Sequence, residues 1–160
     1  MVAKSPDSSG LFFCPGFWRC CRAALLLLML ACSAARAATI TVGAGAEFAT
    51  LAQAVRQAHD GDTIVVHSGE YRGDVAVLQQ KKLTIRGLGR RPVFIADGQH
   101  AEGKAILVVR DGEVLIENIE FRGARVPDGN GAGIRFERGR LRIRACAFFD
   151  NQNGLLTANF

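Results

Sequence analysis

Three stretches decide how this chain folds: Leu83-Thr84-Ile85-Arg86-Gly87-Leu88, Val114-Leu115-Ile116-Glu117-Asn118-Ile119-Glu120-Phe121 and Leu141-Arg142-Ile143-Arg144-Ala145-Cys146-Ala147-Phe148. With Leu83, Val114 and Leu141 in register, Ile85, Ile116 and Ile143 align, then Leu88, Ile119 and Cys146, and Phe121 and Phe148 close the last two copies. The offsets are 31 and 27 residues, and a repeat of this size marks one supersecondary unit stacked on the next. A second register accompanies the first: Ala105, Leu107 and Val109 match Ala132, Ile134 and Phe136, and Leu155 and Thr157 continue the row. In both registers apolar side chains alternate with polar ones, as strands with one buried face require. Two registered rows in one repeat predict coils wound into a tube, in preference to a sandwich or a barrel.

The register also assigns individual residues. Cys146 falls in the row of Leu88 and Ile119, which makes it a small buried hydrophobe. Arg86, Glu117 and Arg144 point outward in one column, about 4.8 Å apart and alternating in sign, and Arg110 and Glu137 form a second such pair. Outside these rows, Phe48, Leu51, Val55 and Ala58 are spaced for one face of a short helix, with Gly61-Asp62 ending it. Thr39 to Val42, Thr63 to Val66, Val75 to Val77 and Val93 to Ile95 read as further strands. Turn formers such as Ser68-Gly69, Asp97-Gly98, Asp111-Gly112 and Pro127-Asp128-Gly129-Asn130-Gly131 separate them.

The amino-terminal segment has a different character. Lys4, Arg19 and Arg22 precede the apolar run from Ala23 to Ala31, and Ala35-Arg36-Ala37 supplies a small-x-small cleavage pattern. A signal peptide over residues 1–37 is expected, with cleavage between Ala37 and Ala38. The apolar stretch is shorter than the roughly 20 residues of a membrane-spanning helix, so no stable membrane span is expected after its removal. The protein is then secreted or periplasmic. A lipoprotein alternative would use Cys32, which follows a poor lipobox, Met29-Leu30-Ala31.

Removal of the leader changes the bulk reading. The chain has 20 basic and 15 acidic residues, and 49% of it is hydrophobic, a composition typical of a folded domain. Without residues 1–37 the balance is 16 to 14, so the basicity is partly a targeting signal and does not point to nucleic acid. Cys14, Cys20, Cys21 and Cys32 leave with the leader, and Cys146 alone cannot form an internal disulfide.

The residues Glu47-Phe48-Ala49-Thr50-Leu51-Ala52-Gln53-Ala54-Val55, Asp60-Gly61-Asp62-Thr63-Ile64-Val65-Val66, Gly69-Glu70-Tyr71-Arg72 and Lys82-Leu83-Thr84-Ile85-Arg86-Gly87 resemble the amino-terminal part of pectin-lyase-like proteins. That resemblance implies an all-β fold, a right-handed parallel β-helix with a short N-terminal capping α-helix. Residues 38–160 would hold the cap and first coils of the domain. Val114 to Phe121 and Cys146 to Gln152 also resemble segments of pectin methylesterases, placing Gln152 where a glutamine of the oxyanion-stabilising pair sits. Gly131 stands at the position of the other glutamine and Asn153 at that of an aspartate, so the constellation is incomplete.

Candidate ligand-binding residues are Arg135, Arg142 and Arg144 on outward positions, together with the polar cluster Asp150-Asn151-Gln152-Asn153. Arginines suit acidic sugars and amides suit sugar hydroxyls, although Asn and Asp also suit turns. His59, His67 and His100 are too scattered for metal ligation. No catalytic residue, metal site or cofactor is identified. The expected partner is an acidic polysaccharide, and the protein is read as related to polysaccharide-binding or polysaccharide-processing β-helices. A non-catalytic adhesion or scaffold protein, and an inactive truncated fragment, are the alternatives. The stop after Ala158-Asn159-Phe160 leads us to expect an uncapped last coil, with self-association through it.

Overall fold

A computed structural model describes residues 37–158. The leader expected over residues 1–37 lies, apart from Ala37, outside the described residues, as do Asn159 and Phe160. Thirteen strands and one helix follow in order: β1 Thr39–Val42, α1 Leu51–Gln57, β2 Thr63–Val66, β3 Glu70–Arg72, β4 Ala76–Leu78, β5 Lys82–Gly87, β6 Val93–Ile95, β7 Ala105–Val109, β8 Glu113–Glu117, β9 Glu120–Arg122, β10 Ala132–Phe136, β11 Arg140–Arg144, β12 Ala147–Phe149 and β13 Asn153–Thr157. They form three parallel sheets: sheet I in the order β1-β2-β5-β8-β11, sheet II β3-β6-β9-β12 and sheet III β4-β7-β10-β13. Each coil gives one strand to each sheet. The result is an all-β, right-handed parallel β-helix of about four turns with a short helix near its amino-terminal end.

The alternation of side chains explains why the tube is filled. Ile40, Ile64, Ile85, Ile116 and Ile143 lie in one inward ladder through sheet I. On sheet II the ladder is aromatic, with Tyr71, Phe94, Phe121 and Phe148 in register. Successive rings stack with centroids 4.9, 6.0 and 5.4 Å apart, within the range of favourable aromatic pairs. The sequence register reaches only the last two of these rings, because the corner between sheets I and II has two residues in the last two coils but three and five in the first two, which puts Tyr71 and Phe94 out of step. The two expected registers are both present, Leu83–Val114–Leu141 on sheet I and Leu107–Ile134–Leu155 on sheet III.

The structure adjusts several boundaries. The runs Val114 to Phe121 and Leu141 to Phe148 are each two strands, broken at Asn118 and Ala145, which take positive φ of 55° and 49°. These are the corners between sheets I and II. Asn118 stabilises its corner by donating from Nδ2 to the carbonyls of Gly87 and Gly89 in the coil below (3.0 and 3.2 Å). Leu88, expected in the core row of Ile119 and Cys146, is 54% exposed. It follows the end of β5 and turns outward there, whereas Ile119 is fully buried. Cys146 is partly buried against the core, and burial pushes its thiol pKa up.

Helix α1 ends at Gln57, earlier than Gly61-Asp62. Ala58 is its C-cap, in extended conformation. It is held at its start from two directions: Thr50 accepts from the Gln53 N–H (3.2 Å), and the buried Asp74 carboxylate of the next strand connection accepts from the Leu51 and Ala52 N–H groups (2.6 and 3.0 Å). Leu51, Ala54 and Val55 then bury against the first coil. No described helix is long and apolar enough to cross a membrane.

Candidate functional site

The coils are not equal at the corner between sheets II and III. In the first and last coils this connection has three residues, Gly73–Val75 and Asp150–Gln152. In the two middle coils it has nine, residues 96–104 and 123–131. The two long loops are therefore stacked neighbours. The first covers part of the outer face of sheet III: Ala101 packs with Ala105, Val108 and Ala132, and β7 is buried on both faces. A rigid scaffold that presents adjacent long loops is the usual setting for a binding site.

Between these loops lies a hollow of about 230 Å³ lined by Glu102, Gly103, Lys104, Asp128, Asn130, Arg135 and Leu156. Pockets for drug-sized ligands run from roughly 300 to 1,000 Å³, so this one suits a single small polar unit of a longer ligand. Its first wall is a closed set of charges. Lys104 Nζ donates to Glu137 (2.5 Å) and lies 3.5 Å from Glu102, while Arg110 pairs closely with Glu102 and sits 3.9 Å from Glu137. The hydrogen bond from Lys104, its charge, and the charges of Arg110 and Arg135 hold the Glu137 carboxyl below its ordinary range against the effect of burial. The Glu102 carboxylate raises the Arg110 guanidinium pKa.

Arg135 makes no ion pair within this set, although its charge acts on Glu137. It points outward from β10, in the column Val77, Val108, Arg135, Leu156. Among the described residues no carboxylate lies within 4 Å of it, and its Nε is buried without a hydrogen-bond partner. Asp128 and Asn130, on the facing loop, likewise form no ion pair or side-chain hydrogen bond among the described residues. The hollow thus offers an unpaired guanidinium, a carboxylate and an amide.

The other sequence candidates are distributed elsewhere. Arg142 and Arg144 lie on sheet I, where Arg142 is 3.4 Å from Glu113 and Arg144 is 3.8 Å from Glu117. Glu117 also takes Arg86 at 2.8 Å, completing the alternating column read from the sequence. Asp150 occupies a positive-φ turn position (φ 54°). The Asn151 side chain is committed to backbone, accepting from Ala124 N–H (2.9 Å) and donating to the Phe121 carbonyl (3.0 Å). Gln152 Oε1 accepts from Val126 and Gly131 N–H (2.9 and 2.7 Å), and its Nε2 donates to the Val126 carbonyl (3.2 Å). Asn153 opens β13 opposite Ala132.

Gln152 therefore serves as a clasp on the loop that forms one rim of the hollow. A glutamine pair at positions 131 and 152 does not fit this backbone, since a Cβ on Gly131 would meet Gln152 Oε1 and Arg125 Cα at 2.7 Å. Compared with family models, curated proteins and solved structures, the chain finds no match. No group of three His, Cys, Asp or Glu side chains among the described residues is arranged to hold a metal ion.

Glu102, Lys104, Asp128 and Asn130 were not singled out from the sequence. A signal did exist. The coil offsets of 31 and 27 exceed the 21-residue register between Thr63 and Thr84, and most of the excess lies in the two long corner loops.

Proposed function

We propose that the chain is an exported relative of the pectin-lyase-like β-helix proteins that binds an acidic polysaccharide on the outer face of sheet III, without chemistry of its own. The unpaired Arg135 in the hollow between the two long loops is the observation that carries this reading. A guanidinium forms bidentate bonds to carboxylates, and uronate sugars supply a carboxylate beside hydroxyls that Asp128 and Asn130 can bind. Catalysis is not part of the proposal, because Gln152 is consumed in holding a loop and the carboxylates nearest the hollow other than Asp128 are ion-paired.

The test is binding of the exported protein to polygalacturonate and alginate, with neutral dextran and dextran sulfate as controls, at low and high salt. Selective retention of a polyuronate over the sulfated polymer is expected. Equal binding of all polyanions, lost entirely in high salt, would reduce the effect to charge attraction. A second reading, a scaffold or adhesion module, is favoured by the mutual neutralisation of the outward charges on sheet I. It predicts no polysaccharide binding at all.

A further inference from the structure

Asp62 is an unusual residue to find inside the first coil. Its side chain is 5% exposed, yet among the described residues no lysine or arginine lies within 4 Å of it. The nearest cationic candidate is His59 Nδ1, at 3.9 Å, on a ring that is 89% exposed. What the carboxylate does have is two backbone donors: the Ala38 N–H at 2.7 Å on Oδ1 and the His59 N–H at 2.8 Å on Oδ2. These bonds hold its pKa below the ordinary value, that of His59 contributing most. Burial of an ionised carboxylate without a full positive charge is costly.

The position of Ala38 is set independently. Its carbonyl accepts from the Thr63 N–H (2.8 Å) beside the pairing of β1 with β2, which places its nitrogen next to Asp62. The same nitrogen begins the chain that remains if Ala35-Arg36-Ala37 is cleaved after Ala37.

We propose that Asp62 is the receptor for the amino terminus created by processing: cleavage turns the Ala38 nitrogen into an α-ammonium, which pairs with the buried carboxylate and locks the first coil. This rests on the export reading. Before cleavage the contact is an amide hydrogen bond; afterwards it is a charge-assisted one, of roughly twice the strength. Stability of the first coil is thereby coupled to removal of the leader.

A partner carboxylate raises the folded pKa of the α-ammonium above its unfolded value of about 7.7–8.0. Its contribution is then fully present below that unfolded value and lost as the pH rises through the folded one. The neighbouring titratable groups are His59, Asp60 and, on the next coil, Lys81 and Lys82, whose backbone is tied to this turn by the Asp60 side chain and the Gly61 N–H.

The experiment uses the full chain made in an exporting host, with the mature mass measured first. Its unfolding is compared with that of a chain carrying one glycine inserted between Ala37 and Ala38, in which the residue-38 nitrogen stays an amide. Below pH 7 the inserted glycine is expected to lower the folding equilibrium constant about tenfold, with the gap closing above pH 8. Asp62→Asn should abolish the gap and His59→Gln should leave it. Where Asp62→Asn fails to fold, the α-amine pKa of the unsubstituted mature protein, raised above its unfolded value in an NMR titration, tests the same pairing. Equal constants, a gap that survives Asp62→Asn, an α-amine pKa at its unfolded value, or a mature chain beginning elsewhere would each overturn the proposal. An uncleaved chain overturns the export reading itself, which separates the two failures.

Discussion

The side-chain oxygen of Gln152 lies 2.7 Å from the backbone nitrogen of Gly131, and this bond fastens one rim of the hollow to the coil above it. With the two bonds to Val126 it anchors the centre of a nine-residue loop. Gln152→Ala leaves the N–H groups of Val126 and Gly131 unpaired, at a cost of about 1–3 kcal/mol. Denaturant unfolding should show the loss, and hydrogen exchange should quicken at those two amides. Gln152→Glu keeps the acceptor and should protect them better than alanine does.

Arg135 has the opposite profile. Its guanidinium has no carboxylate partner, so Arg135→Ala is expected to change stability by less than about 1 kcal/mol. Polyuronate binding should fall about tenfold or more, and Arg135→Lys should restore only part of it, because a point charge does not replace a planar fork. Affinity measurements on both variants at one fixed salt concentration check this. Unchanged binding would count against the proposed site on sheet III.

Gly112 and Gly139 stack at the corner between sheets III and I, with φ of +89° and +97°. A Cβ on Gly139 would lie 2.1 Å from the Gly112 carbonyl oxygen, and one on Gly112 would lie 2.4 Å from that of Gln80. Gly139→Ala therefore combines an unfavourable φ, worth about 1–3 kcal/mol, with a backbone clash. The expected result is a lower denaturation midpoint and poor yield of folded protein. Alanine at Gly129, where a Cβ meets nothing within 4 Å, should be much milder although its φ is also positive.

Asp74 caps α1 from a distance of more than twenty residues in sequence. Burial raises its pKa, and the Ala52 and Leu51 N–H groups only partly offset this. Its contribution to stability is fully present below the unfolded pKa near 3.9 and declines as the pH rises through the higher folded value. Asp74→Asn should flatten that part of the stability–pH curve. Asp74→Ala should cost about 1–3 kcal/mol through two orphaned N–H groups, read as a drop in the thermal midpoint.

The amino-acid pattern alone determined the architecture, and the reason is periodicity. Side chains alternate strictly along a strand, so Ile85, Ile116 and Ile143 could be aligned without knowing the path of the chain between them, and the column Arg86–Glu117–Arg144 followed from the same register. What surrounds an outward residue carries no such period. Arg135 and Arg144 look alike in the sequence, yet one sits unpaired in a hollow and the other pairs with Glu117, because they lie on different sheets and corner loops of unequal length separate their surroundings. In the sequence Asn151 and Gln152 read either as sugar-binding amides or as turn residues, and only the coil stacked below shows their bonds already taken. The tertiary structure alone decided which polar groups remain free, since that depends on hydrogen bonds between residues more than twenty positions apart.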